Sequence, residues 1–185
     1  VTNLGGNPDE PFVIRPEVEK MYAERLQELR GIVSERHAEE TEWAEANPEK
    51  AEKQAFWFSG KAPDLPWEKL QQKSGGPTRA ASSNVLAMLS EYCENMIVSS
   101  ADLSNSDKTD GFLKHSSNIT RDNFGGGFLQ AGVSELTMAC VCIGISLHGG
   151  FFTAMGTFFV FSDYMKPAIR MAALMQLPVK FVWSH

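Results

Sequence analysis

The chain has 185 residues, 43% of them hydrophobic and 22% charged, with a formal net charge of −6. That is enough apolar material for one packed domain plus an appendage, and the acidic balance argues against a protein that grips a nucleic-acid backbone. Ser, His and Gly interrupt the apolar run 136–161, so nothing reaches the length of a membrane span. Residues 1–15 also lack the basic start and apolar run of a signal peptide. Neither nucleic acid nor membrane is an expected partner.

Residues 1–16 read as loop, with turn and breaker signals at Gly5-Gly6-Asn7-Pro8 and Arg15-Pro16. A helix is predicted over 17–46, because Val18, Tyr22, Leu26, Leu29 and Val33 fall at helical spacing. Asn47-Pro48 breaks it. A second helical piece, 49–58, ends in Phe56-Trp57-Phe58, which read as an aromatic patch docking onto a core. The stretch 59–77 carries three prolines and several glycines and reads as a linker, so the main domain begins at residue 78. Thr78 is placed to cap a helix over 79–95, with Val85, Leu86, Met88, Leu89 and Tyr92 inward. Met96-Ile97-Val98-Ser99 reads as a short buried strand, and 104–124 as polar and irregular. Helices over 135–148 and 162–176 and strands within 151–159 and 178–184 complete the pattern. Helices alternating with short apolar strands predict an α/β fold, a parallel sheet flanked by helices. Ligands of such sheets collect outside the carboxyl ends of the strands, where Asp102, the 158–164 segment and His185 are expected.

Both ends are peculiar: Val1 stands where an initiator Met would, and the last strand stops at His185, so the chain reads as a piece of something longer. Cys93, Cys140 and Cys142 are odd in number, and the last two point apart on a helix. Buried free thiols in a reducing, cytoplasmic compartment are expected rather than a disulfide or metal site. No metal motif is found, since the four histidines lack partner spacing. Gly125-Gly126-Gly127 lacks the Lys and helix context of a phosphate loop and reads as a turn. Asp102 fits a turn-forming or a ligand role. Phe158, Phe161 and Tyr164 lie three apart, as a core stripe or as a stacking surface for a flat heteroaromatic ligand. Glu135 opens an apolar helix, and a carboxylate in low dielectric needs a proton, a charge partner or a donor. It is either a structural cap or a working group.

Several separated motifs, in order, resemble the transketolase family's pyrimidine-binding domain. They are Gly132-Val-Ser-Glu-Leu136, Gly144-Ile-Ser-Leu-His-Gly-Gly150, Gly156-Thr-Phe-Phe-Val-Phe-Ser-Asp-Tyr164, Arg170-Met-Ala-Ala-Leu-Met175 and Pro178-Val-Lys-Phe-Val-Trp-Ser-His185. Upstream, Thr78-Arg79 and Ser99-Ser-Ala-Asp-Leu-Ser-Asn-Ser106 look like the family's substrate and cofactor loops. On this resemblance, 1–60 would be the helical tail of the diphosphate-binding domain and 61–77 the interdomain linker. Residues 78–185 would be the pyrimidine-binding domain, cut short at its C-terminus.

The resemblance implies a thiamine diphosphate enzyme that moves a two-carbon ketol unit between sugar phosphates in the pentose phosphate pathway. Glu135 matches the activating glutamate that hydrogen-bonds N1′ of the aminopyrimidine, a bond that favours removal of the thiazolium C2 proton. Phe161 matches the aromatic that stacks on the pyrimidine, with Phe158 and Tyr164 shaping the pocket, and Asp102 matches a loop aspartate near the cofactor. Arg79, Ser106 and His185 match residues that hold the phosphorylated sugar. Where the family carries Pro-Ser-Asn-Leu-Thr, this chain carries Asn105-Ser106-Asp107-Lys108-Thr109. The resemblance further implies a homodimer or complementary transketolase domains as partners. Mg²⁺ or another divalent cation would be bound by the absent diphosphate domain, and the chain alone would hold half a site and be inactive. The rival readings are a dihydroxyacetone or deoxyxylulose phosphate synthase of the same architecture, and a non-catalytic interaction fragment.

Overall fold

The structure, a computed structural model, describes residues 1–184. It divides into two compact units, Val1–Glu52 and Lys53–His185. The first is dominated by α1 (Pro16–Ala46), 31 residues without one that is buried. Pro16 opens it and Glu17 and Glu19 occupy its first turn, both suited to a helix N-terminus. The predicted stripe Tyr22, Leu26, Leu29 and Val33 is exposed. Helices draw most of their stability from a packed face; in α1, surface pairs such as Lys20–Glu24 at 3.8 Å add little.

The helix α2 (Pro48–Phe58) carries the aromatic trio. In the second unit, Trp57 meets Phe151 at 6.1 Å between ring centroids, and Phe58 meets His148 at 5.8 Å. The Phe58 ring lies over Gly149 and Gly150, whose φ values are +83° and +78°. A β-carbon on Gly150 would stand 3.1 Å from that ring, so glycine satisfies both the backbone and the close approach. Lys53 forms an ion pair with Glu94 and lies over the Trp57 ring.

The helix α3 (Thr78–Tyr92) begins one residue earlier than predicted. Thr78 is its first helical residue and not its cap. Pro77 takes the extended capping conformation, and its carbonyl accepts the Ala80 and Ala81 amides. Leu86 and Ala87 are buried, whereas Val85, Met88, Leu89 and Tyr92 are half-buried. Then come β1 (Met96–Ser100), α4 (Ser104–Asp107), a 3-10 turn (Thr109–Lys114) and β2 (Phe128–Gln130). The stretch expected to be irregular thus holds two helical turns, and β2 follows it. They escape sequence periodicity because each is under two helical turns or three residues long. Finally α5 (Glu135–His148), β3 (Phe152–Phe158), a 3-10 turn (Phe159–Phe161), α6 (Ser162–Leu174) and β4 (Lys180–Ser184) follow.

The sheet is parallel throughout, in the order β2-β1-β3-β4. Val98 of β1 stands opposite Phe128 and Ala154, and Gly156 of β3 opposite Val182. Alternation along the strands separates two cores. Met155 packs with Met138, Cys142 and Met165 under α5 and α6. Val98 and Ala154 pack with Leu86, Phe112 and Phe128 on the other face, beneath α3. The chain leaves β1 and β3 in opposite directions along the sheet, so their carboxyl ends flank a topological switch point. Among the described residues no helix is long and apolar enough to cross a membrane. Cys93 and Cys142 are free and buried as expected. Cys140, also free, is exposed, because it falls on the outward side of α5 while Cys142 falls on the inward side.

Candidate active site

Two cavities open at the carboxyl end of the sheet. The first, of about 450 Å³, is lined by Ala101, Asp102, Leu103, Val133, Glu135, Phe161 and Tyr164. Gly132, with φ +68°, turns the chain into α5, and the Ser134 hydroxyl donates to the Ala131 carbonyl at 2.9 Å. Glu135 is thereby the first residue of α5, where the free N–H groups of the opening turn suit an acidic residue. It is 8% exposed. Among the described residues, no side-chain hydrogen bond or ion pair forms with its carboxyl group. Phe158, Phe161 and Tyr164 form a ladder. The first pair is stacked at 5.9 Å and 14°, and the second at 6.1 Å and 21°. Phe158 is outside the cavity lining and meets it through Phe161. Asp102 stands at the rim, exposed, with φ +62°.

The second cavity, of about 460 Å³, lies on the α3 side. Its lining includes Thr78, Arg79, Ser82, Asp107, Trp183 and Ser184. The Arg79 guanidinium donates from Nη1 to the Ser106 carbonyl at 3.3 Å. The Ser106 hydroxyl donates to the Asn105 side-chain oxygen at 3.3 Å. Asp107, next in the chain, is buried and accepts from the Ser100 hydroxyl at 2.8 Å and the Thr109 hydroxyl at 2.7 Å.

The structure thus gathers Asp102, Glu135, Phe161 and Tyr164 around one cavity, and Arg79 and Ser106 beside another. The expected role of His185 lies outside the described residues. Thr78, Ser82, Asp107, Trp183 and Ser184 were not singled out as site residues from the sequence. Thr78, Trp183 and Ser184 carried a signal as members of quoted motifs, and Asp107 as an acid in the stretch that departs from the Pro-Ser-Asn-Leu-Thr pattern.

A flat heteroaromatic ring with an ionisable nitrogen needs a face to stack against and a carboxyl group at its edge. The Glu135 cavity offers both, and so fits an aminopyrimidine. Comparison with known proteins gives the family and the fold. The sequence profile of the transketolase pyrimidine binding domain matches residues 75–185. A transketolase of Leishmania mexicana superposes with a TM-score of 0.86 at 25% identity, covering all of this chain and 28% of that one. A Pichia stipitis transketolase in complex with sedoheptulose-7-phosphate gives 0.85 at 27% identity, with the same coverage. The domain therefore has the thiamine diphosphate pyrimidine-binding fold. In sequence, the Bacillus subtilis transketolase is 36% identical over 183 residues, which is 96% of this chain and 27% of that protein. The chain belongs to the transketolase family, and it spans about a quarter of the length of the curated relatives it matches. Family membership implies thiamine diphosphate as cofactor.

Proposed function

We propose that this chain supplies the pyrimidine-side half of a transketolase active site. The reading rests on Glu135, a buried carboxyl group at a helix start that shares one cavity with Asp102 and the stacked rings of Phe161 and Tyr164. Thiamine diphosphate, when bound, supplies the nucleophilic carbon that carries a two-carbon ketol unit between sugar phosphates, as in the pentose phosphate pathway. Glu135 holds or shares a proton with N1′ of the aminopyrimidine. Phe161 stacks on the ring, Phe158 and Tyr164 brace Phe161, and Asp102 faces the cofactor from the loop after β1. Arg79 presents its guanidinium fork to the sugar phosphate, which Ser106 and His185 also hold.

On this reading 1–60 is the helical tail of the diphosphate-binding domain, 61–77 the linker and 78–185 the pyrimidine-binding domain. The diphosphate and its Mg²⁺ or other divalent cation are held by a complementary region, and the chain is inactive without it. The outward side of α5 supports a homodimer. Leu136, Val141 and Leu147 are exposed there, and no charged residue falls between 136 and 147. Three free thiols support a reducing compartment such as the cytoplasm.

The test is ketol transfer from a ketose phosphate to an aldose phosphate by this chain mixed with the remaining transketolase regions, cofactor and Mg²⁺. Activity that appears only in the mixture and collapses with Glu135→Ala is the expected result. An inert mixture that nonetheless associates and binds cofactor would sink the reading.

A further inference from the structure

Asp107 is the most deeply buried acid among the described residues, 1% exposed, and both its carboxyl oxygens are engaged. Oδ1 accepts the Thr109 amide at 2.9 Å and the Thr109 hydroxyl at 2.7 Å. Oδ2 accepts the Ser100 hydroxyl at 2.8 Å. The Ser100 Oγ in turn accepts the Leu103 amide at 3.2 Å. One carboxyl group therefore holds the end of β1, the turn 100–103 and the turn 107–109.

Each of those turns contains a residue in the left-handed region, Asp102 at φ +62° and Lys108 at φ +68°. Such conformations persist in residues other than glycine where the surroundings over-determine them. Here the bonds from Ser100 to Leu103 bracket Asp102, and the bonds from Asp107 to Thr109 bracket Lys108. Asp102 lines the Glu135 cavity, and the Ser106 carbonyl that receives Arg79 is the atom group immediately before Asp107. Asp107 itself lines the Arg79 cavity.

We propose that Asp107 is a positioning residue that sets both subsites at once, fixing Asp102 on one cavity and the Arg79–Ser106 contact on the other. What those cavities bind rests on the function proposed above; the positioning itself does not.

Amide hydrogen exchange on the full chain tests it. Asp107→Ala is expected to speed exchange of the Thr109 amide, which loses its acceptor, by about tenfold, and to speed that of Leu103 as well, because its acceptor Ser100 loses the anchor that holds it. The amides of Val98 and Met138, in the two cores, should stay within about threefold of wild type, which separates local release from general destabilisation. Ser100→Ala should release Leu103 alone. Asp107→Asn keeps one acceptor oxygen for Thr109 and turns an N–H donor toward the Ser100 oxygen, where it competes with the Leu103 amide, so it should preserve Thr109 and speed Leu103; this variant decides the matter if Asp107→Ala fails to fold. Exchange at Leu103 that is unchanged in both Ser100→Ala and Asp107→Asn overturns the proposal.

A second readout uses the complemented enzyme. Asp107→Ala should raise both the Kd for thiamine diphosphate and the KM for the sugar phosphate about tenfold. Ser100→Ala should raise only the former. An effect of Asp107→Ala on one constant alone also overturns the proposal. A complemented wild-type chain without ketol transfer would remove the functional reading, while the exchange data still judge the clasp.

Discussion

Glu135 and Asp107 are both buried acids at the carboxyl end of one sheet, on opposite faces of it, and their surroundings differ. Asp107 accepts three donors from its own chain, with both oxygens engaged. The Glu135 carboxyl group receives no side-chain donor among the described residues and lines a largely apolar cavity. A buried carboxylate with both oxygens bonded within its own chain stabilises the backbone around it and has little capacity left for a ligand. One that takes no side-chain donor and opens onto a cavity keeps acceptor sites for a ligand. The contrast separates a group that builds the site from a group that works in it.

The sharpest way to break that contrast is Glu135→Gln in the complemented enzyme. It keeps the shape and removes the exchangeable proton, so kcat should fall by about 10²–10⁴-fold, the usual weight of a positioned acid or base. The thermal midpoint should scarcely move. A fall of less than tenfold would mean that Glu135 is a cap and the contrast is false.

A smaller effect is expected on the other face. A methyl added by Gly156→Ala would collide with the Thr109 side chain and lie 2.9 Å from Asp107 Oδ2. Urea unfolding should register a loss of about 1–3 kcal/mol, as for other overpacked cores. An unchanged midpoint would show that the Asp107 cradle is soft and does not constrain its neighbours.

A third effect, absent at neutral pH, concerns the core beneath α5. Burial pushes the Cys142 thiol up to about 12 from an ordinary 9.0. Above pH 9 the unfolded chain therefore releases a proton that the folded chain retains, and stability falls as pH rises from 9 toward 12. Urea midpoints taken across that range should drop in wild type and drop less in Cys142→Ala. At neutral pH a soluble alkylating reagent should leave the buried Cys93 and Cys142 untouched in the folded protein.

Most of the sheet and all the long helices were legible in the sequence, because apolar runs such as Met96–Ser100 and the spacing in Pro16–Ala46 carry strong periodic signals. What was missed lies between 104 and 130. There the backbone is held by side-chain bonds from Asp107, Ser100 and Thr109, and such bonds leave no period to read. The same reason hid Asp107 as a building residue. The Glu135 cavity was easier, since an isolated acid before an apolar helix stands out in composition alone. That Phe58 would pack on two glycines was not legible, although the aromatic patch was. Contact between residues ninety positions apart follows from the tertiary fold.

The seat of Phe58 on Gly149 and Gly150 has a consequence for limited proteolysis. Lys61, just beyond the ring, is exposed in the segment after α2 and offers trypsin a cleavable bond. Cutting it severs the peptide and leaves untouched the stacking of Phe58 on the glycines, the Trp57–Phe151 contact and the Lys53–Glu94 pair. The nicked protein would run as two bands on a denaturing gel and as one particle through a sizing column, a covalent break that the native assembly conceals.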